Sequence, residues 1–267
     1  MFRKLFNSLF SPVAIVLSAT IALPSFATIV EFETSHGKFK INLHDETTPK
    51  TVENFLSYVN DGSYNDTIVH RNALTQTGEN FVIQGGGFRF EGALPPVGIE
   101  TRPTIVNEPL YSNVVGTIAM AKGSNANSAT SQWFINLKDN SFLDSNAKGA
   151  FTAFGEVIAD DMTTIEAIAA TPRCDLGVPF NEIPMPNYVC TDGGAGTENF
   201  VTIISVTISD SSVTSASSLT PVMNTSLTST PTPTTPTKSS SGGGSMTWLM
   251  LSLLSLFSIS RKFIKKS

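Results

Sequence analysis

Between residues 28 and 209, apolar and polar positions alternate in short runs. Ile29-Val-Glu-Phe-Glu-Thr34 and Gly37-Lys-Phe-Lys-Ile-Asn-Leu43 both alternate, with Ser35-His36-Gly37 between them, and predict a β-hairpin. Ile203-Ile-Ser-Val-Thr-Ile208 alternates again and predicts a strand that closes the domain. Two stretches change period. In 48–59 the apolar Val52, Phe55, Leu56 and Val59 fall at i, i+3, i+4 and i+7. Thr48 is placed to cap that helix, Pro49 suits its first turn, and Gly62 can end it. In 161–170, Met162, Ile165, Ile168 and Ala169 share one side, and Thr171-Pro172 stops the run. Many short strands with two helices predict a mainly β domain, a barrel or sandwich with helical lids.

At both ends the pattern changes character. Arg3 and Lys4 precede an apolar run from Val13 to Leu23, and Pro24-Ser25-Phe26-Ala27 puts small residues at −3 and −1 of a cut after Ala27. That is the three-part grammar of a secretory signal peptide over 1–27. At the other end, 246–259 is a 14-residue apolar segment followed by Arg261, Lys262, Lys265 and Lys266. At 1.5 Å per residue it covers roughly 21 Å, short of the ~30 Å hydrocarbon core. Its basic flank orients the domain outside and the tail inside. Residues 210–245 are rich in Ser, Thr, Pro and Gly, with Thr-Pro repeats at 230–237, and predict an extended, disordered stalk.

Composition sharpens this division. Charged residues are 15% of the 267, against roughly 25% in an average soluble domain, and the stalk accounts for the gap. The formal net charge is −5, but residues 28–209 hold 10 Lys/Arg against 21 Asp/Glu. A domain that acidic repels a phosphate backbone, which argues against nucleic acid as a partner. Two cysteines exclude a disulfide-dense scaffold and a multi-Cys zinc module. In an exported chain Cys174 and Cys190 read as a disulfide closing the loop between the second helix and the last strand. A metal pair is the competing reading, but no histidine lies near either cysteine.

Most motifs for chemistry are missing. The sequence has no Gly-x-Ser-x-Gly, no P-loop, no His-Glu-x-x-His, and no Gly-x-Gly-x-x-Gly after a strand. His36, His44 and His70 lack metal-ligand spacing, and no cofactor or metal is expected. What stands out is a series in order. Val69-His70-Arg71 is followed by Phe81-Val-Ile-Gln84-Gly85-Gly86-Gly87-Phe88, then Gly116-Thr-Ile-Ala-Met120-Ala121. Ser131-Gln132-Trp133-Phe134-Ile135-Asn136 comes next, then Phe142-Leu143-Asp144 and Phe151-Thr-Ala-Phe154-Gly155.

Over about 28–208 this series closely resembles the cyclophilin-type peptidyl-prolyl cis-trans isomerases, particularly their bacterial exported branch. The resemblance implies a closed eight-stranded antiparallel barrel capped by two α-helices, and interconversion of cis and trans X–Pro bonds in proline-containing polypeptides. By position, Arg71 resembles the family's catalytic arginine and Gln84 the glutamine that orients it. Phe81, Val82, Phe134, Phe142 and Leu143 match the pocket for the proline ring and its rim. Met120 and Ala121 begin the edge beside the substrate, and Gln132 with its neighbouring backbone binds the peptide. The Gly-rich 241–245 stretch, apolar segment and basic end resemble a bacterial GlyGly-CTERM sorting tail, whose partner is a sorting protease. An ordinary membrane anchor is the alternative. The expectation is an exported monomer in the periplasm or at the cell surface.

Three features depart from the family pattern. Nine residues, Asn72 to Asn80, separate Arg71 from Phe81 where the family has four, so the strand after Arg71 must bulge or be extended by five residues. Phe142 stands where many eukaryotic members carry tryptophan, which implies weak cyclosporin binding. Phe151 stands at a family histidine or tyrosine. The nine-residue spacing also favours a second reading, a catalytically weak module of the same fold that grips proline-containing segments. A structural domain with no peptide site leaves Gln84 and the pocket residues unexplained.

Overall fold

The computed structural model describes residues 27–145, 149–212, 215 and 219–228. The expected hairpin forms from β1 (Ile29–Thr34) and β2 (Gly37–Leu43), with Gly37 at φ +119° where the chain turns. Alternation does what it predicts: Val30 sits opposite Ile41 and Phe32 opposite Phe39, all buried, with the two phenyl rings stacked at 4.6 Å. Helix α1 (Pro49–Asn60) buries Val52, Phe55 and Val59 as the spacing requires. Its N-terminus is satisfied in a way the sequence does not reveal. Thr48 turns its hydroxyl to the His44 carbonyl, while the distant Glu108 carboxylate accepts from Lys50 N at 3.3 Å and Thr51 N at 2.9 Å. A carboxylate there meets both the orphan amides and the positive end of the helix dipole.

The chain then lays down β3 (Thr67–Ile68), β4 (Arg71–Leu74), β5 (Asn80–Gly85), β6 (Phe88–Arg89) and β7 (Val97–Gly98). Next come β8 (Thr117–Met120), β9 (Trp133–Asn136) and β10 (Ala153–Val157). Helix α2 (Met162–Ala169), β11 (Arg173–Cys174), β12 (Ile183–Pro184) and β13 (Thr202–Asp210) complete the order. Eleven of these strands form one antiparallel sheet in the order β4-β5-β9-β8-β10-β2-β1-β13-β3-β6-β7. The fold is thus mainly β with two helices, a curled antiparallel sheet in the form of a half-barrel. The β13 strand pairs with β1 along its length, as expected of the closing strand.

One face of the sheet and both helices enclose a core of Phe32, Phe39, Phe55, Trp133 and Phe154 with Ile41, Ile83, Ile118 and Ile135. A second, smaller cluster (Ile68, Phe88, Phe180, Ile183, Met185 and Phe200) lies under the loop between α2 and β13. Cys174 and Cys190 are joined by a disulfide across that loop, 16 residues apart. A crosslink of this span restricts the unfolded chain by about 3 kcal/mol in the loop-closure account. Unfolding by urea with and without reductant is therefore expected to differ by about that amount. Equal midpoints would mean that the bridge adds nothing.

Residues 219–228, within the span read as stalk, lie against the domain. Ser112 N donates to Val222 O at 2.8 Å and Asn224 N to Leu110 O at 2.9 Å. The Asn224 side chain reaches the Pro109 and Asp144 carbonyls at 3.0 and 3.1 Å. Hydrogen bonding, not apolar burial, ties this segment down, and composition alone does not register that. The segment read as a signal peptide, apart from Ala27, and the apolar segment at 246–267 lie outside the described residues. Among the described residues no helix is long and apolar enough to cross a membrane.

Candidate active site

Directly paired residues on neighbouring strands share a face of the sheet. Across β4, β5, β9, β8 and β10 the pairing sets Arg71 opposite Gln84, Gln84 opposite Phe134, Phe134 opposite Ala119 and Ala119 opposite Ala153. The adjacent row is Ala73, Val82 and Asn136. The alternate row, Asn72, Ile83, Ile135 and Ile118, faces the core. One sheet face therefore carries the arginine, the glutamine and an apolar floor of Phe134, Ala119 and Ala153.

The long Arg71–Phe81 connection is accommodated without disturbing this row. Residues 75–79 form the tip of a lengthened β4–β5 hairpin, closed by Thr75 N to Glu79 O at 2.8 Å, with a register shift between Ala73 and Leu74. The extra residues project beyond the site, and Arg71 stays opposite Gln84. The feature that favoured a merely gripping module thus leaves the row intact.

Val82, Phe134, Ala73, Ala119, Ala153 and Tyr111 form one buried cluster, with Phe81, Ala121, Leu143, Leu110 and Phe151 packed on it. Phe81, Val82, Ala121, Phe134 and Leu143 are thereby brought together in one cluster. Phe142 is 62% exposed and stacks on Phe81 at 5.8 Å, a rim position. Met120 is placed elsewhere: its side chain is 2% exposed inside the main core, paired with Trp133. Strand period explains this, because Ile118 and Met120 share one parity while Ala119 and Ala121 share the other. Met120 can offer a substrate only backbone.

Gln132 accepts from Gln84 Nε2 at 2.8 Å, and Ala121 N donates to Gln132 O at 2.9 Å. Gly87 permits that approach, since a Cβ there would stand 2.7 Å from the Gln132 side chain, and Gly85 and Gly86 do the same for Trp133. A Cβ on Gly85 would stand 2.6 Å from the Trp133 ring. Arg71 itself is 9% exposed and donates from Nε to Glu182 Oε2 at 2.9 Å. Burial draws its pKa below the ordinary guanidinium range, while the charge and hydrogen bond of Glu182 push the other way. It remains a cation at any physiological pH. Its neighbour His70 is buried, with its pKa lowered to about 3 by desolvation first and the Arg71 charge second. A neutral imidazole there carries no positive charge and no imidazolium proton near pH 7.

Some residues of the motifs make contacts that the motifs do not reveal. Phe151 meets Phe134 edge-on at 5.6 Å and carries the Lys122 ammonium 4.5 Å above its ring. A ring replacing the family's polar residue has thus gained a cation partner. Asp144, 3% exposed, anchors the loop holding Phe142 and Leu143. It accepts from Ser112 Oγ, from Asn113 N at 2.9 Å and from Asn113 Nδ2 at 2.8 Å. The parity of Ala119 and Ala153 was available in the sequence as a signal; the partners of Asp144 and Arg71 were not. Among the described residues no group of three or more His, Cys, Asp or Glu is placed to hold a metal.

Comparison with known proteins identifies the family. Residues 29–189 match the family described as cyclophilin type peptidyl-prolyl cis-trans isomerase/CLD. The chain is 37% identical over 179 residues to peptidyl-prolyl cis-trans isomerase A of Dickeya dadantii, covering 64% of this chain and 88% of that one. It is 38% identical to a peptidyl-prolyl cis-trans isomerase of Acinetobacter baylyi, covering 60% and 81%. Peptidyl-prolyl cis-trans isomerase B of Escherichia coli is 38% identical over 52% of this chain and 83% of its own. A crystal structure of a cyclophilin type isomerase from Cryptosporidium parvum superposes with a TM-score of 0.49 at 23% identity. It covers 70% of this chain and 99% of that chain. That protein was also crystallised in the presence of the dipeptide Ala-Pro, a structure matching with a TM-score of 0.48.

Proposed function

We propose a mechanism from the premise that this chain belongs to the cyclophilin-type peptidyl-prolyl cis-trans isomerases. Its activity is the interconversion of cis and trans X–Pro bonds. Resonance gives the C–N bond a barrier of roughly 18–20 kcal/mol. No nucleophile or proton transfer is required; the site must bind the twisted amide better than either planar form. In the twisted state the prolyl nitrogen regains its lone pair, and a guanidinium can donate to it. With Nε engaged by Glu182, the four Nη hydrogens of Arg71 are the donors for substrate. The apolar cluster of Val82, Phe134 and Leu143, rimmed by Phe81 and Phe142, receives the proline ring and excludes water. Ala121, the Met120 backbone and Gln132 line the edge along which the peptide runs. The row Arg71–Gln84–Phe134 is the observation that carries this reading.

The half-barrel closes, on this reading, into the family's eight-stranded barrel through the run from β3 to β4. Bonds from Val69 N to Val201 O and from His70 N to Gln84 O, at 2.9 and 3.0 Å, support it. The clients are proline-containing segments of exported proteins, and the protein acts as a monomer. Export rests on the three-part pattern of 1–27, and a disulfide is at home in an oxidising compartment. The tail at 246–267 then serves a sorting protease or anchors the chain in the membrane at the cell surface.

The test is catalysis by the full chain of cis-to-trans exchange in an Ala-Pro peptide, whose uncatalysed exchange takes tens of seconds. Acceleration is expected to stay flat from pH 6 to 9, since Arg71 stays charged and His70 neutral throughout. Stability behaves differently. Burial lowers the pKa of His44 to about 4 and of His70 to about 3, against about 6.5 when unfolded. Above pH 6.5 the stabilisation is fully present. Below it the unfolded chain binds more protons, and stability falls by up to about 1.4 kcal/mol per pH unit per histidine. Urea midpoints at pH 7.5 and 5 read this directly. An activity that titrates near pH 6–7 while the chain remains folded would count against the mechanism.

A further inference from the structure

Arg71 is bonded to Glu182, a residue outside the motifs that carry the family resemblance. Along β4 the chain is flanked by β5 on one side and by the loop between α2 and β13 on the other. Asn72 N donates to Glu182 O at 2.8 Å, which draws that loop onto the strand. The Glu182 carboxylate then uses both oxygens. Oε2 accepts from Arg71 Nε at 2.9 Å, and Oε1 accepts from Leu74 N at 3.2 Å. One side chain thus bridges the guanidinium and the backbone of its own strand.

Its base is rigid. The β11–β12 pairing sets Arg173 opposite Pro184 and Cys174 opposite Ile183. Met185 N donates to Pro172 O at 2.8 Å, and the Cys174–Cys190 bridge closes the loop around Glu182. Ile183 and Met185, immediately after it, are wholly buried in the second apolar cluster. Gln84, opposite Arg71 on β5, donates from Nε2 to Gln132 Oε1.

The chemistry follows from the shape of a guanidinium. Its atoms are coplanar, so a bond to Nε–H fixes the plane in which both Nη groups lie. A carboxylate at Nε also balances the charge of a nearly buried cation and leaves the Nη donors for the reacting amide. We propose that Glu182 is the positioning residue for Arg71, aiming its Nη groups at the prolyl nitrogen from the disulfide-closed loop. The proposal rests on the mechanism above. Positioning acts on the twisted state and not on the planar substrate, so it appears in kcat and not in KM.

The experiment compares full-chain wild type, Glu182→Ala, Glu182→Gln and Arg71→Ala with one Ala-Pro peptide, under conditions where circular dichroism shows each folded. Glu182→Ala is expected to lower kcat by about 10- to 100-fold, the scale of a misaimed catalytic group, with KM within about twofold. Glu182→Gln keeps one acceptor oxygen and presents an amide to the other donor, so its kcat falls between wild type and Glu182→Ala. If Glu182→Ala does not fold, Glu182→Gln decides the matter, and a wild-type kcat in it overturns the proposal. So does a Glu182→Ala protein with unchanged kcat, or one altered only in KM. A wild type no faster than Arg71→Ala would instead overturn the mechanism on which the proposal rests.

Discussion

Arg71→Ala is expected to lower kcat/KM for an Ala-Pro peptide by about 100- to 1,000-fold, the usual cost of removing a preorganised donor from a water-excluded site. The reason lies in the composition of the site. Arg71 is the cation in the row that includes Gln84 and Phe134, and His70 beside it is neutral. No other group in that row can donate to the prolyl nitrogen with a full positive charge. Arg71→Lys keeps the charge but loses the planar fork that Glu182 grips through Nε, so it is expected to recover little. Exchange kinetics of the three proteins at one peptide concentration series read the effect. An Arg71→Ala protein within threefold of wild type would place the catalytic donor elsewhere.

The largest expected effect on stability is at Gly86. Its φ is +74°, and a Cβ there would stand 2.7 Å from Ser131 O and equally close to Trp133 Cδ1 and Nε1. Neither neighbour can retreat. Trp133 is 1% exposed and meets Phe32 edge-on at 5.3 Å, while Ser131 O accepts the Tyr64 hydroxyl at 2.7 Å. Overpacking costs about 1–3 kcal/mol and the left-handed backbone about 1–2 more. Gly86→Ala is therefore expected to lose about 3–4 kcal/mol in urea unfolding. Gly78, at φ +82° in the hairpin tip with nothing within 4 Å of its Cβ position, isolates the backbone part. Gly78→Ala is expected to lose about 1 kcal/mol. Equal losses at the two positions would show that the close approach to Trp133 is not what makes Gly86 necessary.

The two helices and the first hairpin were legible because their signals are local. Val52, Phe55 and Val59 are buried where a 3.6-residue period puts them, and Phe32 meets Phe39 where a period of two does. The residues proposed for the site were read for a different reason: Phe81, Val82, Gln84, Phe134 and Leu143 sit in motifs whose order along the chain resembles a known family. Met120 shows where motif membership misleads. It lies beside Ala121 in the chain but on the opposite face of the sheet. The 219–228 segment shows where composition misleads. Few apolar residues predicted a free stalk, yet Asn224 is 5% exposed and bonded to three backbone carbonyls.

By itself the sequence determined the family, the strand-rich domain with two helices and the residues proposed for the site, because each is written in short-range period or contiguous motif. Only the tertiary structure decided what holds those residues in place. Glu182 lies 111 positions from Arg71, and Glu108 lies 57 from the helix start it satisfies. Hydrogen bonds between such distant groups leave no periodic trace. They exist because the curled sheet and a disulfide-closed loop bring the partners within 3 Å, and a buried charge must then find its opposite.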